Sequence, residues 1–348
     1  MPKDNFLKNR FKELEEVQRR YGSVKSQISI QSGEFRFVAV GSRVYYSKNW
    51  KTFPDFLSDY LISILGARWG NLQLSMPYSE THPIIKWYKD LYAKQQTLEP
   101  NERGIYKTLM TGSEAAWFHM AYDLYILHHH LILQKSLVSR LKNPKQFQGA
   151  RYELMITASF IRAGFKIIYE DETDSSKKHT EFTAIHTELG EKVSVEAKSR
   201  HRPGVLGFPD KLESPEEIKV GMNRLMSRAI EKETELPYIV CLDFNLPPFE
   251  GETFQNMYVQ DTIKEFEMID EKYKDSKFPV TLSILTNFSH HYLGASEIDT
   301  RLDFLITISN NQKRPLQNAI IIKKIADAFK KYKNIPNDFD EVINYTEL

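Results

Sequence analysis

The stretch KVSVEAKSR, residues 192–200, carries a carboxylate and an ammonium two residues apart, Glu196 and Lys198. In a β-strand side chains alternate between faces, so Val193, Val195 and Ala197 point one way while Ser194, Glu196 and Lys198 point the other. With a second acid nearby, such a pair has the makings of a phosphodiesterase site. Hydrolysing a phosphodiester calls for a hard divalent cation, held by one or two carboxylates plus water. A neighbouring ammonium can stabilise charge developing on the phosphate or help deprotonate the attacking water. The plainer account of the same residues is an edge strand with a solvated charged face.

The second acid is Glu181, in TEFTA, at the start of the preceding strand-like segment. It can face the same ion as Glu196 if both lie on one side of the sheet. The acid-x-Lys triplet also occurs at Glu217/Lys219, Asp270/Lys272 and Asp275/Lys277. Those three fall in helical or linker-like segments, where a two-residue step does not align side chains. Arg200, His201 and Arg202 follow at once in SRHRPG, and guanidinium groups there could make bidentate contacts to phosphate. Arg200 continues the parity of Glu196 and Lys198; the alternative for Arg202 is a solvated charged loop.

The surrounding pattern supplies the elements. ARYELMITASFIRAG reads as a helix with Leu154, Ala158 and Ile161 at helical spacing, ending at Gly164. FKIIYE, EFTAIHTE and KVSVEAK read as three short strands, Pro215 to Glu233 as a helix, and LPYIVCLDF as a strand. That order predicts an α/β sandwich around a small mixed sheet. Two more strands, VTLSILTNF and FLITISN, and the helix NAIIIKKIADAFKKYK extend it, with KEFEMIDEKYKDSK as an exposed helix or loop between. Upstream come a helix over 4–20, a hairpin turning at Gly41-Ser42, helices over 54–65 and 83–95, and a long helix over 113–142. Pro144 and Gly149 in NPKQFQG mark the boundary. Residues 1–142 are thus expected to form a mostly helical domain for targeting or assembly, and 147–348 a second, mixed domain.

The order helix–strand–strand–strand–helix–strand, with Glu-x-Lys ending the third strand, resembles the PD-(D/E)xK nuclease superfamily and its restriction-endonuclease-like fold. The resemblance covers roughly residues 147–245, on Glu153 in RYEL, Glu181 in TEFTA, and Glu196 and Lys198 in VEAK. It implies that Glu181 and Glu196 hold Mg²⁺ or Mn²⁺ with the backbone carbonyl of Ala197, that Lys198 stands by the nucleophilic water, and that Glu153 orients a metal-bound water. It implies an endonuclease acting on DNA, in a family that serves restriction, repair or defence against foreign DNA. The chain departs from the pattern in one place: Thr180-Glu181 stands where the family has Asp, often after Pro. Asp171, Glu172 and Asp174 in the preceding loop compete for that role. Two alternatives stay open, a catalytically degenerate nucleic-acid-binding or assembly protein of the same fold, and an enzyme acting on RNA.

Composition sets the outer limits. The 348 residues hold 47 Lys plus Arg against 46 Asp plus Glu, so any polyanion site must be a local patch. A single cysteine, Cys241, excludes an internal disulfide and points to a reducing cytoplasm. No apolar run is long enough for a membrane span, so nucleic acid and a partner protein or second copy, met through the N-terminal domain, are the expected partners. The triplet His128–His130 fans out around a helix and cannot chelate one ion. Trp50, Trp69, Trp87 and Trp117 fit a helical core better than a base-stacking platform. Lys323, Lys324, Lys330, Lys331 and Lys333 form a basic stripe, which is ordinarily a solvated face. The absence of G-x-x-x-x-G-K-[ST], G-x-S-x-G, H-E-x-x-H and paired C-x-x-C removes several rival enzyme classes.

Overall fold

Short runs of β-branched and aromatic residues build two sheets in the computed structural model, which describes residues 12, 15–170, 179–214, 217–232, 234–248, 257–298, 303–308 and 312–339. The smaller sheet is antiparallel throughout: β1 (Ile28–Ser32), β2 (Phe35–Val40) and β3 (Arg43–Ser47). The expected hairpin is there, with Val40 paired to Arg43 across Gly41-Ser42. Gly41 has φ +59°, and a Cβ on it would come within 2.8 Å of the His128 carbonyl oxygen. The turn is therefore seated closely against a helix, which favours glycine there.

Six helices follow: α1 (Phe53–Leu65), α2 (Ala67–Leu74), α3 (Pro83–Gln95), α4 (Gly112–His129), α5 (Lys135–Leu141) and α6 (Phe147–Arg162). Thr52 and Asp55 close a capping box at α1, and Thr111 and Glu114 close another at α4. The long helix expected over 113–142 is two helices. Leu131 takes φ +63°, a left-handed conformation that ends α4, and α5 starts afresh at Lys135. α4 is buried on nearly every side, as a helix apolar all round should be.

The larger sheet has its strands side by side in chain order: β4 (Phe165–Tyr169), β5 (Phe182–His186), β6 (Lys192–Ser199), β7 (Tyr238–Asp243), β8 (Leu282–Asn287) and β9 (Asp303–Ile308). The β4–β5–β6 pairs and the β8–β9 pair are antiparallel, while β6–β7 and β7–β8 are parallel. The parallel steps are bridged by α7 (Met222–Ile230) and α8 (Met257–Tyr273), and α9 (Ile320–Lys330) follows β9. The result is a mixed α/β architecture. α7 is shorter than the helix expected over 215–233: Ile218 and Val220 are buried in irregular chain, and Gly221, at φ +68°, sets the helix start. Pro215 and Glu233, the ends of that expected helix, lie outside the described residues, as do Asp171, Glu172 and Asp174 and most of the opening helix over 4–20.

Strand alternation sorts the core into two layers. Val193, Val195, Ile239 and Cys241 face a large cluster shared with α4, α6 and α9, whereas Tyr238, Val240 and Leu242 face α7 and α8. The large cluster runs from Val38 to Tyr332 without a break at the expected boundary. Residues 143–146 are a turn, Gly149 lies inside α6, and Phe147 packs 4.8 Å from the His82 ring and 5.8 Å from that of Trp87. Trp50, Trp87 and Trp117 are buried in this core, with Trp69 packed against it. Each histidine of the triplet has its own setting: Tyr60 for His128, the Ser26 carbonyl for His129 and the Lys25 amide for His130. Cys241 is a buried free thiol. No described helix is long and apolar enough to cross a membrane.

Candidate active site

To hold one ion, Glu181 and Glu196 must reach the same side of the sheet. Phe182 pairs with Val195, and the Glu181 amide donates to the Val195 carbonyl at 3.0 Å. Glu181 is the residue just before β5, beyond the last β5–β6 pair, and its carboxylate reaches the side that Glu196 faces through a common contact with Lys198. Lys198 joins them: its Nζ lies 3.3 Å from Glu181 Oε1 and also contacts Glu196 Oε1. A second ammonium, that of Lys232 just beyond α7, lies 3.1 Å from the same Glu196 oxygen. Glu196 itself is fully buried.

Burial, and then the Glu181 carboxylate, push the Glu196 carboxyl above its ordinary value, against the pull of Lys198 and Lys232. Burial pulls the other way on Lys198, but Glu196 and Glu181 together outweigh it and hold the ammonium above its usual range. Lys198 is therefore a firmly protonated cation between two acids.

β6 runs on past its last β5 pair to Ser199, and an open pocket of about 420 Å³ lies at that end of the sheet. Glu153, Glu181, Ala197, Lys198, Arg200 and His201 all line it. Glu153 reaches it from α6, with both carboxylate oxygens 2.7 Å from Arg140 Nη2. His201 is exposed and tilts against Phe208. Arg202 departs from expectation: its side chain is buried and turned inward, donating to the carbonyls of Phe244 and Lys219 and to Glu213 Oε2. It pins the loop after β6 to the end of β7 and has no guanidinium edge to offer a phosphate. The sequence reading also missed three pocket residues, Arg140, Arg224 and Arg228. The last two recur at an i, i+4 step on α7, a spacing that puts them on one helix face.

The donor set suits a hard divalent cation. Two carboxylates, one on β6 and one just before β5, meet the same ammonium, and Glu196 Oε2 is buried with no hydrogen-bond partner among the described residues. The Ala197 carbonyl shares the parity of the Val195 carbonyl, so it points toward the β5 side where β5 has ended. Among the described residues no three His, Cys, Asp or Glu side chains gather into a ligand group. The protein would thus supply two carboxylates and a carbonyl and leave the remaining positions to water, the habit of Mg²⁺ sites. No protein-family model, curated protein or solved structure matches this chain.

Proposed function

We propose that this chain is a metal-dependent endonuclease, built on a restriction-endonuclease-like core of α6, β4, β5, β6, α7 and β7. The observation that carries the reading is the Glu181–Lys198–Glu196 cluster, whose Glu181 and Lys198 line a pocket otherwise rich in arginine while Glu196 is buried behind them. Glu181, Glu196 and the Ala197 carbonyl would hold Mg²⁺ or Mn²⁺. Such an ion, when bound, polarises a phosphoryl oxygen and acidifies a coordinated water. Lys198 brings a permanent positive charge and three N–H donors to a non-bridging phosphate oxygen. Glu153, fixed by Arg140, is an acceptor that can orient a water from the helix side. DNA is the substrate we favour, with restriction or defence against foreign DNA as the setting that the family resemblance implies.

A second reading has one observation behind it. The Lys198 and Lys232 ammonium groups together already balance both carboxylates, which is what a cation-free, binding-only pocket of the same fold needs. Incubation with supercoiled plasmid, linear duplex and single-stranded RNA, each with Mg²⁺ or Mn²⁺, separates the two. The nuclease reading expects wild type to cut at least one substrate, EDTA to stop it, and Glu196→Gln and Lys198→Ala to lower the rate by about a hundredfold or more. Wild type and variants equally inert on every substrate and metal would favour the binding-only protein.

A further inference from the structure

The pocket holds more positive charge than its acids balance. Glu153 is engaged by Arg140, and Glu181 and Glu196 by Lys198 and Lys232. That leaves Arg200, Arg224 and Arg228, which line the same pocket and have no ion-pair partner among the described residues. The Nε of Arg200 is buried without a hydrogen-bond partner. Its guanidinium runs beside α7, where a Cβ on Gly221 would lie 3.6 Å from Cζ. The positive charges of Arg224 and Arg228 act on Arg200, and that of Arg228 acts on His201. The acid whose charge acts on Arg200, Glu213, is already held at 2.8 Å by Arg202.

Neither do the arginines serve the helix they flank. The open N–H groups at the start of α7 are taken by Glu265, which accepts from Gly221 at 3.1 Å and Asn223 at 2.6 Å. Arg224 and Arg228 are exposed side chains, while Leu225, Met226 and Ala229 do the packing. Three cations that repel one another and support no local structure are best explained by an anion that they bind together. Guanidinium groups pair with phosphate through two parallel hydrogen bonds, and three in one pocket match successive phosphates of a strand better than a single small anion.

We propose that Arg200, Arg224 and Arg228 form a phosphate-binding subsite that holds a nucleic-acid backbone alongside the Glu181–Lys198–Glu196 cluster. This rests on the nuclease reading for its choice of polyanion, but not on catalysis. The subsite replaces the loop cluster Arg200–His201–Arg202 as the contact surface, keeping Arg200 and exchanging Arg202 for the two arginines of α7.

The test is binding without chemistry. A fluorescein-labelled 20-base-pair duplex is titrated with the full chain in EDTA, with anisotropy read across a salt series. Contacts to phosphate release counterions, so each arginine removed should make the log K versus log salt slope shallower by about one. Arg224→Gln with Arg228→Gln is expected to weaken binding at least tenfold and flatten the slope by about two. Lys323→Gln with Lys330→Gln, two exposed lysines of α9, makes the same change in net charge and is expected to leave both unchanged. Melting curves of both double variants confirm folding. Equal affinity and slope for wild type and the α7 variant would overturn the subsite, and so would a loss confined to the α9 variant or a wild type that does not bind the duplex. None of those outcomes touches the cutting assay with Glu196→Gln, so the subsite and the nuclease can fail separately.

Discussion

Lys232 Nζ lies 3.1 Å from Glu196 Oε1, so the buried carboxylate of β6 is shared between an ammonium on its own strand and one from the end of α7. A carboxylate with no exposed surface needs compensation to stay ionised. Lys198 supplies it from the pocket side and Lys232 from the helix side. Lys232→Gln therefore removes half the compensation without entering the pocket. It should lower stability by about 2 kcal/mol at neutral pH. The loss should shrink in acid as Glu196 takes up a proton. Urea unfolding at pH 7 and pH 4.5 reads this directly; a loss that is equal at both would show that Lys232 acts through packing and not charge.

Metal affinity should carry the same signature. The Glu196 carboxyl titrates above its ordinary value because it is buried and faces Glu181. A proton and a divalent ion compete for it, so affinity for Mn²⁺ should rise with pH through that raised value and level off above it. Calorimetric titration with Mn²⁺ between pH 5 and pH 8 should show this rise in wild type and lose it, together with most of the affinity, in Glu196→Gln.

Arg202 gives the opposite expectation from Arg224 and Arg228. Its guanidinium is buried and bonded to two carbonyls and Glu213. Arg202→Ala leaves those acceptors without a donor and should cost about 3 kcal/mol or more of stability. Duplex affinity, measured below the lowered melting temperature, should keep its wild-type salt slope.

A second pH effect lies far from the pocket. Asp123 of α4 is buried beside Arg162 at 3.2 Å and accepts from the Tyr332 hydroxyl at 2.8 Å. Burial, which outweighs Arg162, pushes its carboxyl up to about 7. A raised folded value means that the folded state holds the proton longer than the unfolded one. The resulting stability is complete below the ordinary carboxylate value and is lost as pH rises through about 7. Buried His119, brought down to about 4 by its own burial, works the other way, but only up to the ordinary imidazole value near 6.5. Other histidines with lowered values, His290 and His291 among them, add to that opposing trend, so the Asp123 contribution is read as a difference: the stability of wild type relative to Asp123→Asn should fall by on the order of 1 kcal/mol between pH 6.5 and 8. Urea denaturation of both proteins across that range measures it.

Local pattern carried much of this structure. The alternation in KVSVEAKS, the helix of RYEL and the strands on either side were legible because side-chain period reports which face is buried. What escaped depends on contacts between distant segments. Nothing local shows that Leu131 will turn left-handed, that Ile218 and Val220 will be buried outside a helix, or that Arg202 will find three acceptors inside. The arginines of α7 were visible as residues but not as pocket residues, since the crossover between β6 and β7 is what carries them over the sheet's end. The first strand of the small sheet went unread, and its pattern is inverted: Ile28 and Ile30 are exposed while Ser29 is buried.

The packed layer that continues past residues 143–146 has a practical meaning for how the polypeptide can be divided. Phe147 is wedged among rings from the first half, and Asp123 of that half is gripped by Arg162 and Tyr332 of the second. Severed at that turn, each fragment would carry a raw apolar flank made for the other. Separately expressed halves should be insoluble, whereas halves made together should reassociate and co-purify.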